Sequence, residues 1–526
     1  MQGWRWAAAV AGGLAAVAGV CQAQISSTDV APVTVVGATP IGGGLDKDKI
    51  AAPVQTATAD GIARSHALDL TAFMTRKLAG VYVNDIQNNP LQPDLNYRGY
   101  TASPLLGTPQ GLSVYVDGMP VNQPFGDVVS WDLIPRQAIA SIALMPGSNP
   151  LFGLNTLGGA LSVRTKDGLS APGSMAQLGY GSYHRRLLEA ETGGAAGNGV
   201  NWYLTGTGFK DGGWRDASPS NAAQLFGKLG WRGAGTNLAL SGAYANTDLN
   251  GAGLQEQRFL ARDRSSVYTK PDITQNRSGL VNFTFEHQLS PALSVSGNAD
   301  WRRIETHTYN GDINDDALTE DVYQPDAGET AANTPFPSLR CIAGALLNTE
   351  PNATCDGLIN RTETRQHEAG AAVQATYRSR LAGRDNQLTV GGAYNQSHAH
   401  FRQSSQFGYL TPDRGVIGVS GPGAFADGSQ ASETAQDARV DVTGRTRTAS
   451  LYATDTLELA AGLNVTLSGR YDADRIRNRD ALTPGGGPGS LDGSYRFNRF
   501  NPVMTAARRD PVALDPLIQG HGRVWH

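Results

Sequence analysis

The segment GLNVTLSGRYD, residues 462–472, carries the pattern that decides the fold. Its apolar and polar side chains occupy alternate positions: Leu463, Val465, Leu467 and Tyr471 against Asn464, Thr466, Ser468 and Arg470. Successive side chains of a β-strand point to opposite faces, so one face of this segment requires an apolar medium and the other a polar one. A soluble β-sandwich satisfies that requirement, and so does the wall of a β-barrel in lipid.

The same alternation recurs along the C-terminal two thirds of the chain. It predicts about twelve strands, near residues 174–182, 184–193, 201–210, 223–232, 236–246, 279–288, 292–303, 367–379, 386–398, 447–459, 462–473 and 495–505. Short turns such as 232–236 and 289–292 are interleaved with long polar connections such as 247–278 and 304–366. Short turns at one end and long loops at the other are typical of outer-membrane barrels.

Charged residues on the polar face of these strands separate the two alternatives. They are Lys228, Glu286, Asp300, Arg302 and Arg470. Unpaired charges are too costly to bury in a dry core. The polar face therefore meets water or a polar plug, and the apolar face meets lipid. Aromatic residues near the predicted strand ends suit the membrane interfaces: Trp231, Tyr244, Trp301, Tyr377, Tyr394 and Tyr471.

The N-terminus and the composition predict an exported protein. Residues 1–23 combine an early Arg5 with an apolar run and a small-residue site, which predicts a signal peptide cleaved after Ala23. No later stretch of about 18 apolar residues occurs, so only a closed sheet could satisfy the backbone in a membrane. The net charge of -4 over 526 residues gives no reason to expect nucleic acid as a partner.

Cleavage at that site removes Cys21 and leaves two cysteines. In an oxidising compartment this favours a disulfide between Cys341 and Cys355 over two free thiols or a metal site. His398 and His400 lack further ligands nearby in sequence and are interpreted as surface residues at the end of a strand. No spacing indicates a catalytic, metal or cofactor site, so we do not expect an enzyme.

Residues 50–168 have a different sequence pattern, which predicts a mixed α/β domain with one helix over Ala67–Leu78. VYVDGMPVN, residues 114–122, predicts a hairpin that turns at Asp117 and Gly118. The domain also contains YRGY at 97–100, FGDVVSWDLIP at 125–135 and PGSNPLFGLNTLGGALSVRTK at 146–166. In this order the motifs resemble the plug domain of TonB-dependent outer-membrane receptors.

The resemblance implies a transmembrane antiparallel β-barrel with an N-terminal mixed α/β plug, located in the cell outer membrane. It implies energised uptake of a scarce bulky nutrient, most often a ferric siderophore or a similar iron complex. The implied partners are TonB with its inner-membrane complex, outer-membrane lipid and an iron chelate, without a cofactor. The segment Val33, Thr34, Val35 and Val36 resembles the TonB box, which would add as a strand to a partner's sheet edge.

The resemblance also assigns plug-motif residues. They are Arg98 and Gly99, Asp117 and Gly118, and the closing glycines Gly147, Gly153, Gly158 and Gly159. Pro146 stands where the family commonly has an arginine, so we do not expect an ion pair from that position to the barrel wall. Ligand selectivity is expected in the plug apices and in the long loops, with 304–366 as a lid.

The predicted domains are a signal peptide at 1–23, a tail at 24–49, the plug at 50–168, a partial barrel at 174–505 and an atypical tail at 506–526. Plugged outer-membrane transporters have 22 strands, and alternation here stops near Ala506 after about twelve. We therefore expect a C-terminally truncated receptor. Three functions follow: an energised transporter, a non-functional fragment, or a passive porin.

Overall fold

The structure is a computed structural model that describes residues 35–147, 149–315, 317, 336–348, 351–424 and 437–508. The predicted signal peptide, its cleavage after Ala23, and Val33 and Thr34 of the predicted TonB box lie outside these residues, as do residues 509–526. None of the helices in the described ranges has the length and apolar character needed to cross a membrane.

The helices are short. They are α1 (Ala59–Arg64), α2 (Leu70–Lys77), α3 (Gln257–Leu260), α4 (Pro337–Leu347) and α5 (Pro351–Thr354). α2 lies within the predicted helix 67–78 and begins after Asp69, whose carboxylate accepts a hydrogen bond from the Ala72 N–H at 2.8 Å. That bond satisfies one of the free donors at the start of the helix.

The N-terminal part of the described chain contains ten strands in three small sheets. They are β1 (Val35–Thr39), β2 (Gly42–Asp46), β3 (Gln55–Thr58), β4 (Val81–Asn84), β5 (Asp94–Tyr97), β6 (Tyr100–Ala102), β7 (Leu112–Val116), β8 (Met119–Pro120), β9 (Ile139–Pro146) and β10 (Gly159–Thr165). β1 and β2 form a hairpin, β4 to β6 form a meander, and the five-stranded sheet has the order β3-β9-β10-β7-β8. In that sheet β10 runs parallel to β7.

Apolar side chains of these strands, of α1 and of α2 form one core. Its fully buried members include Phe73, Met74, Leu112, Val114, Ile142, Leu144 and Leu161. Burying each such side chain contributes about 1.5–3 kcal/mol, so this part of the chain is a packed domain with its own core. We call it the plug.

From Gly173 onward the chain forms one large antiparallel sheet, which we call the wall. Its strands are β11 (Gly173–Tyr180), β12 (Arg186–Ala195), β13 (Val200–Asp211), β14 (Ser220–Gly233), β15 (Thr236–Asn250), β16 (Asp272–Gln288), β17 (Leu293–Ile313), β18 (Gly357–Leu381), β19 (Arg384–Leu410), β20 (Val416–Gly418), β21 (Asp437–Ala460), β22 (Leu463–Asp480) and β23 (Gly493–Arg508). In the described residues, each strand pairs with the next in the chain, except that β19 pairs with both β20 and β21. The predicted fold class is confirmed.

Most of the wall strands are longer than the sequence pattern predicts, and most of the extra length lies at one end of the wall. β18 and β19 have 25 and 27 residues, where the alternation predicted 367–379 and 386–398. The predicted loop 304–366 is therefore wrong at both of its ends, because β17 continues to Ile313 and β18 begins at Gly357. β23 likewise continues to Arg508, past the point where alternation was predicted to stop.

The two ends of the wall differ in their connections. At one end, here called the turn end, strands are joined by short segments such as 234–235, 382–383 and 461–462. At the other, the loop end, the segments are longer, such as 251–271 and 481–492. In outer-membrane barrels the short turns face the periplasm and the long loops face the outside.

The two faces of the wall differ as the sequence predicts. Facing residues on adjacent antiparallel strands point to the same side, so Leu451, Tyr471 and Phe500 share one face. Large apolar side chains on this outer face are exposed, among them Leu225, Leu229, Val281, Phe283, Leu451, Leu467 and Met504. All six predicted interface aromatics are also exposed on it. The opposite, inner face is polar and contacts the plug.

If the outer face meets lipid, a charge there will be costly. We expect Leu451→Arg, at a side chain that is 68% exposed, to lower the free energy of unfolding in lipid vesicles by about 2–4 kcal/mol. The matched control is Leu254→Arg in the 251–271 loop, where a 75% exposed leucine should tolerate the change within about 0.5 kcal/mol. Equal values from denaturant titrations of the two variants would contradict a lipid-facing wall.

Candidate functional site

The hairpin turn at Asp117 and Gly118 anchors the plug to the wall. Both residues have positive φ, +46° and +86°, which is the two-residue turn that matches the twist of a hairpin. Val116 pairs with Met119 across the turn. A Cβ on Gly118 would lie 2.8 Å from the Ile41 side chain, so glycine allows the turn to approach the β1-β2 hairpin.

The Asp117 carboxylate has partners on both plug and wall. It accepts hydrogen bonds from the Thr165 N–H at 3.0 Å and, on its other oxygen, from Lys228 Nζ of β14 at 2.8 Å. The Asp117 carbonyl accepts a bond from Asn282 Nδ2 of β16 at 3.0 Å. Lys228 and Asp117 are about 10% exposed, so the ion pair is nearly buried. Lys228 therefore meets a polar plug, as its face predicted.

Two further ion pairs have the opposite polarity, because their cation is on the plug and their carboxylate is on the wall. Arg136 donates to both carboxylate oxygens of Glu189 on β12 at 2.7 Å. Lys166 lies 2.7 Å from Glu191 on the same strand. Because removing one partner of a buried pair leaves a buried charge, these contacts hold the plug in one register against the wall.

Arg302 and Gln366 bind the plug segment that follows β8. Arg302 donates to the Val121 carbonyl at 2.8 Å and lies 2.5 Å from Glu368 on the neighbouring strand β18. Gln366 accepts a bond from the Phe125 N–H at 2.8 Å and donates to Gln123 at 2.7 Å. The Phe125 ring stacks on Phe401 of β19, with ring centroids 4.6 Å apart.

Arg470 supplies a guanidinium to the plug from the wall. It donates from Nη1 to the Leu151 carbonyl at 3.1 Å, from Nη2 to Ser450 at 2.7 Å and from Nε to Asp472 at 2.7 Å. A Cβ on Gly153 would lie 3.1 Å from this guanidinium. The sequence predicted no ion pair to the wall from Pro146, and here a wall arginine binds the segment that follows it. This contact joins residues 319 apart and has no signal in the sequence.

Asp132 is a buried carboxylate with neutral partners. Its Oδ2 accepts bonds from Thr247 Oγ1 at 2.6 Å and from Asn276 Nδ2 at 2.9 Å, both on the wall. Among the described residues it has no ion pair. Burial raises the pKa of Asp132, and the two side-chain hydrogen bonds lower it by less. Burial therefore favours the protonated form of this carboxyl group at the contact between plug and wall.

The N-terminal hairpin also binds the wall. Val35 and Val36, the described half of the predicted TonB box, pair with Asp46 and Leu45 of β2. Thr39 Oγ1 at the end of β1 lies 2.6 Å from Gln374 Oε1 on β18.

The remaining predicted plug-motif residues lie in turns. Arg98 and Gly99 form the two-residue turn between β5 and β6, and the Arg98 side chain is exposed. Gly147 follows β9 and donates to the Gly158 carbonyl at 3.0 Å. Gly153 ends a 3-10 turn, and Gly159 begins β10. At Gly158 a Cβ would lie 2.5 Å from Tyr100, so only glycine lets the Tyr100 ring pack there.

These turns form a continuous exposed surface, which we call the apical surface of the plug. Three contacts join its segments: Tyr100 packs on Gly158, Leu106 packs on Gly126, and Asn155 hydrogen-bonds the Asp127 carboxylate. Its large exposed side chains are apolar: Tyr100, Leu106, Leu154 and Leu157. The surface offers an apolar contact area with one carboxyl group.

At the loop end of the wall, a disulfide cross-links part of the predicted lid. Cys341 of α4 and Cys355 are bonded with S–S 2.11 Å, and both are fully buried. They pack with Phe407 at the end of β19, with Val419 and with Ala424. Residues 318–335 of the predicted lid lie outside the described residues.

His398 and His400 lie inside a strand, so the prediction that they lie at the end of a strand is wrong. His398 and His400 are in the middle of β19, which continues to Leu410. The His398 ring stacks on His367 with centroids 4.8 Å apart, and His400 lies 2.8 Å from Asp441. Within the described residues, no group of three or more His, Cys, Asp or Glu could hold a metal ion.

Comparisons with known proteins identify the plug and the fold. Residues 46–160 match the family model described as TonB-dependent Receptor Plug Domain. The chain superposes on the ferric citrate transporter FecA with a TM-score of 0.65 and 14% identity, covering 88% of this chain and 61% of FecA. It superposes on the ferric-catecholate import receptor Fiu of E. coli K12 with 0.63 and 14%, covering 91% of this chain and 66% of Fiu.

A third similar structure is FpvA of P. aeruginosa bound to a heterologous pyoverdine, with a TM-score of 0.63 and 15% identity. This match covers 90% of this chain and 57% of FpvA. The chain thus spans about three fifths of the length of these proteins. No curated protein sequence matches it.

The Arg470 contact predicts a local effect. Arg470→Gln removes charge-assisted bonds to Leu151 and Asp472, each of which contributes about 1.5–3 kcal/mol. We expect amide hydrogen exchange in residues 149–158 of the purified protein to become at least about tenfold faster. Arg475→Gln, on the outer face of the same strand, is the control and should leave exchange there unchanged. Unchanged exchange in both variants would show that Arg470 does not hold this segment.

The raised pKa of Asp132 predicts a pH dependence. The folded state binds this proton more tightly than the unfolded state, so its contribution to stability is complete below the ordinary value of 3.8 and is lost as pH rises through the raised pKa. Asp132→Asn cannot lose a proton, so its free energy of unfolding relative to wild type should increase between about pH 3 and pH 8. A difference that stays constant across that range in denaturant titrations would contradict the assignment.

Proposed function

We propose that this chain, which has the plug domain and the wall sheet of the TonB-dependent receptors, acts in energised uptake of an iron chelate across the outer membrane. The observation that carries the proposal is the docking of the plug. Ion pairs and hydrogen bonds from Lys228, Arg302, Arg470 and Glu189 fix it against the inner face of the wall. A plug held in this way must move or rearrange before a bulky ligand can pass, and that movement requires energy.

The ligand class is supported by two observations. The similar structures include a ferric citrate transporter, a ferric-catecholate import receptor and a receptor bound to a pyoverdine with iron. The apical surface presents Tyr100, Leu106, Leu154 and Leu157 to a ligand, and such apolar side chains suit the organic shell of an iron chelate. We propose this surface and the long connections at the loop end as the ligand-contacting region.

TonB is the proposed partner at the N-terminus. Residues 33–36 would add as a strand to an open sheet edge of TonB, through backbone hydrogen bonds. Val35 and Val36 already pair with β2, so TonB would have to bind their free edge or displace β2. Either way, the interaction depends on the backbone N–H groups of this segment.

Two other functions remain as competitors. A passive porin needs an open lumen, whereas the plug contacts of β12, β14, β17 and β22 disfavour one. A non-functional fragment would keep the fold without inserting or transporting. Heat-modifiable migration of protein from the outer-membrane fraction separates a closed barrel from such a fragment.

A backbone change in the proposed TonB box tests the transporter directly. In a receptor-deficient strain grown on a panel of ferric chelates, we expect Val35→Pro to abolish growth on the chelate that the wild type supports, because proline removes an N–H needed for pairing. Val35→Ile keeps the N–H and the branched side chain, and should grow normally. Both variants should show wild-type amounts of heat-modifiable protein. Growth of the proline variant at the wild-type rate would rule out a TonB box here.

A further inference from the structure

The outer face of the wall changes character near the loop end. On β22 the outer-face residues after Tyr471 and Ala473 are Arg475, Arg477 and Arg479, all exposed. At about 3.3 Å per residue, Arg475 lies about 13 Å along the strand beyond Tyr471. The face therefore passes from apolar to strongly basic within a few residues.

Five arginines, two of them from β22, form one patch across three strands. The basic patch consists of Arg445, Arg447, Arg475, Arg477 and Arg496, and every member is exposed. Within the described residues none of them has an ion pair. Other basic residues continue the same belt on neighbouring strands: Arg186, Lys210, Arg277, Arg303, Arg365 and Arg402.

The register places like charges directly opposite each other. Arg445 faces Arg477, Arg447 faces Arg475, and Arg475 faces Arg496. Directly opposed side chains have Cβ atoms about 4.5–5.5 Å apart, and like charges at that spacing destabilise the sheet. The next residues in the Arg445–Arg477 row are His398 and then His367. An anion between the guanidinium groups would remove this repulsion.

The nearby carboxylates on this face already have partners. Asp441 binds His400 and Arg402, Glu305 binds Arg303, and Glu363 lies against Arg365. They therefore leave the five arginines of the patch without a counter-charge from the described chain. At the turn end the outer face carries few charges, among them Arg384 and Asp455. The basic belt thus marks one end of the wall only.

We propose that the basic patch binds the phosphorylated headgroups of lipids in the outer leaflet of the membrane. The patch lies just beyond the apolar part of the outer face, at the level where headgroups meet the wall, and at the end that faces outside. Arginine binds phosphate through two parallel N–H donors, and closely spaced guanidinium groups can share one phosphate. Phosphate anions between Arg445 and Arg477 and between Arg447 and Arg475 neutralise the opposed charges. This inference rests on the proposed outer-membrane location.

The test measures binding of lipid A with two phosphates to the full-length protein purified in detergent. Each arginine near an anionic lipid surface contributes about 1 kcal/mol, so R445Q/R475Q/R477Q should bind on the order of 100-fold more weakly than wild type. The control, R378Q/R380Q/R384Q, removes three exposed arginines beside the 382–383 turn at the opposite end, of which Arg384 lies on the outer face, and should bind within about twofold of wild type.

Three further arms make the outcome decisive. R445K/R475K/R477K should bind with an affinity between those of wild type and R445Q/R475Q/R477Q, because the charge is kept while the paired N–H donors are lost. Dephosphorylated lipid A should bind weakly to every variant, and inorganic phosphate at the same concentration should not displace the lipid. Heat-modifiable migration checks that each variant is folded.

Equal affinity of wild type and R445Q/R475Q/R477Q would overturn the proposal, as would an equal loss in the control variant or displacement by inorganic phosphate. The outcome is independent of transport. Uptake that fails while lipid binding persists would remove the proposed receptor function and leave the patch intact. Uptake that persists without phosphate-dependent lipid binding would overturn the proposed patch and leave the proposed receptor function intact.

Discussion

The structure depends on the difference between the two faces of a single antiparallel sheet. The outer face is apolar over most of its height, and the inner face carries charges that no apolar medium tolerates. Those inner charges need partners, and the plug provides them. Lys228 meets Asp117, Glu189 meets Arg136, and Arg470 meets the Leu151 carbonyl. The plug therefore completes the wall electrostatically as well as filling the space inside it.

The interface between plug and wall has cations on both sides, and this fixes the register of the plug against the wall. Arg136 and Lys166 are plug cations that bind wall carboxylates, whereas Lys228 and Arg470 are wall cations that bind plug oxygens. A shift of the plug along the wall would bring unpaired groups together in a nearly buried space. Moving the plug thus requires breaking several of these contacts, and the proposed energised partner would have to supply that free energy.

The sequence predicted the class of fold, the strands and the polar inner face because each depends on local periodicity. The turn at Asp117 and Gly118 was also predictable, since an Asp-Gly pair between apolar runs has a strong local preference. The pairs of residues that contact each other between plug and wall could not be predicted. Arg470 and Leu151 are 319 residues apart, and Thr39 and Gln374 are 335 apart, so only the three-dimensional register brings them together. Pro146 indicated a missing arginine, but nothing in the sequence indicated that Arg470 binds the same region from the opposite side.

Most of the errors in strand length have one physical cause. Alternation reveals a strand only where its outer face is apolar, and on β22 that condition ends after Ala473, where Arg475, Arg477 and Arg479 replace the apolar residues. The backbone continues as a strand to Asp480, but both faces are now polar, so the sequence resembles a loop. The same change hides the half of β18 that lies toward the loop end. It also makes His398 and His400 look like residues at the end of a strand. The point at which the sequence pattern fails is therefore the level at which the outer face of the wall stops being apolar, and the charges that obscure the strands belong to the basic patch and its neighbours.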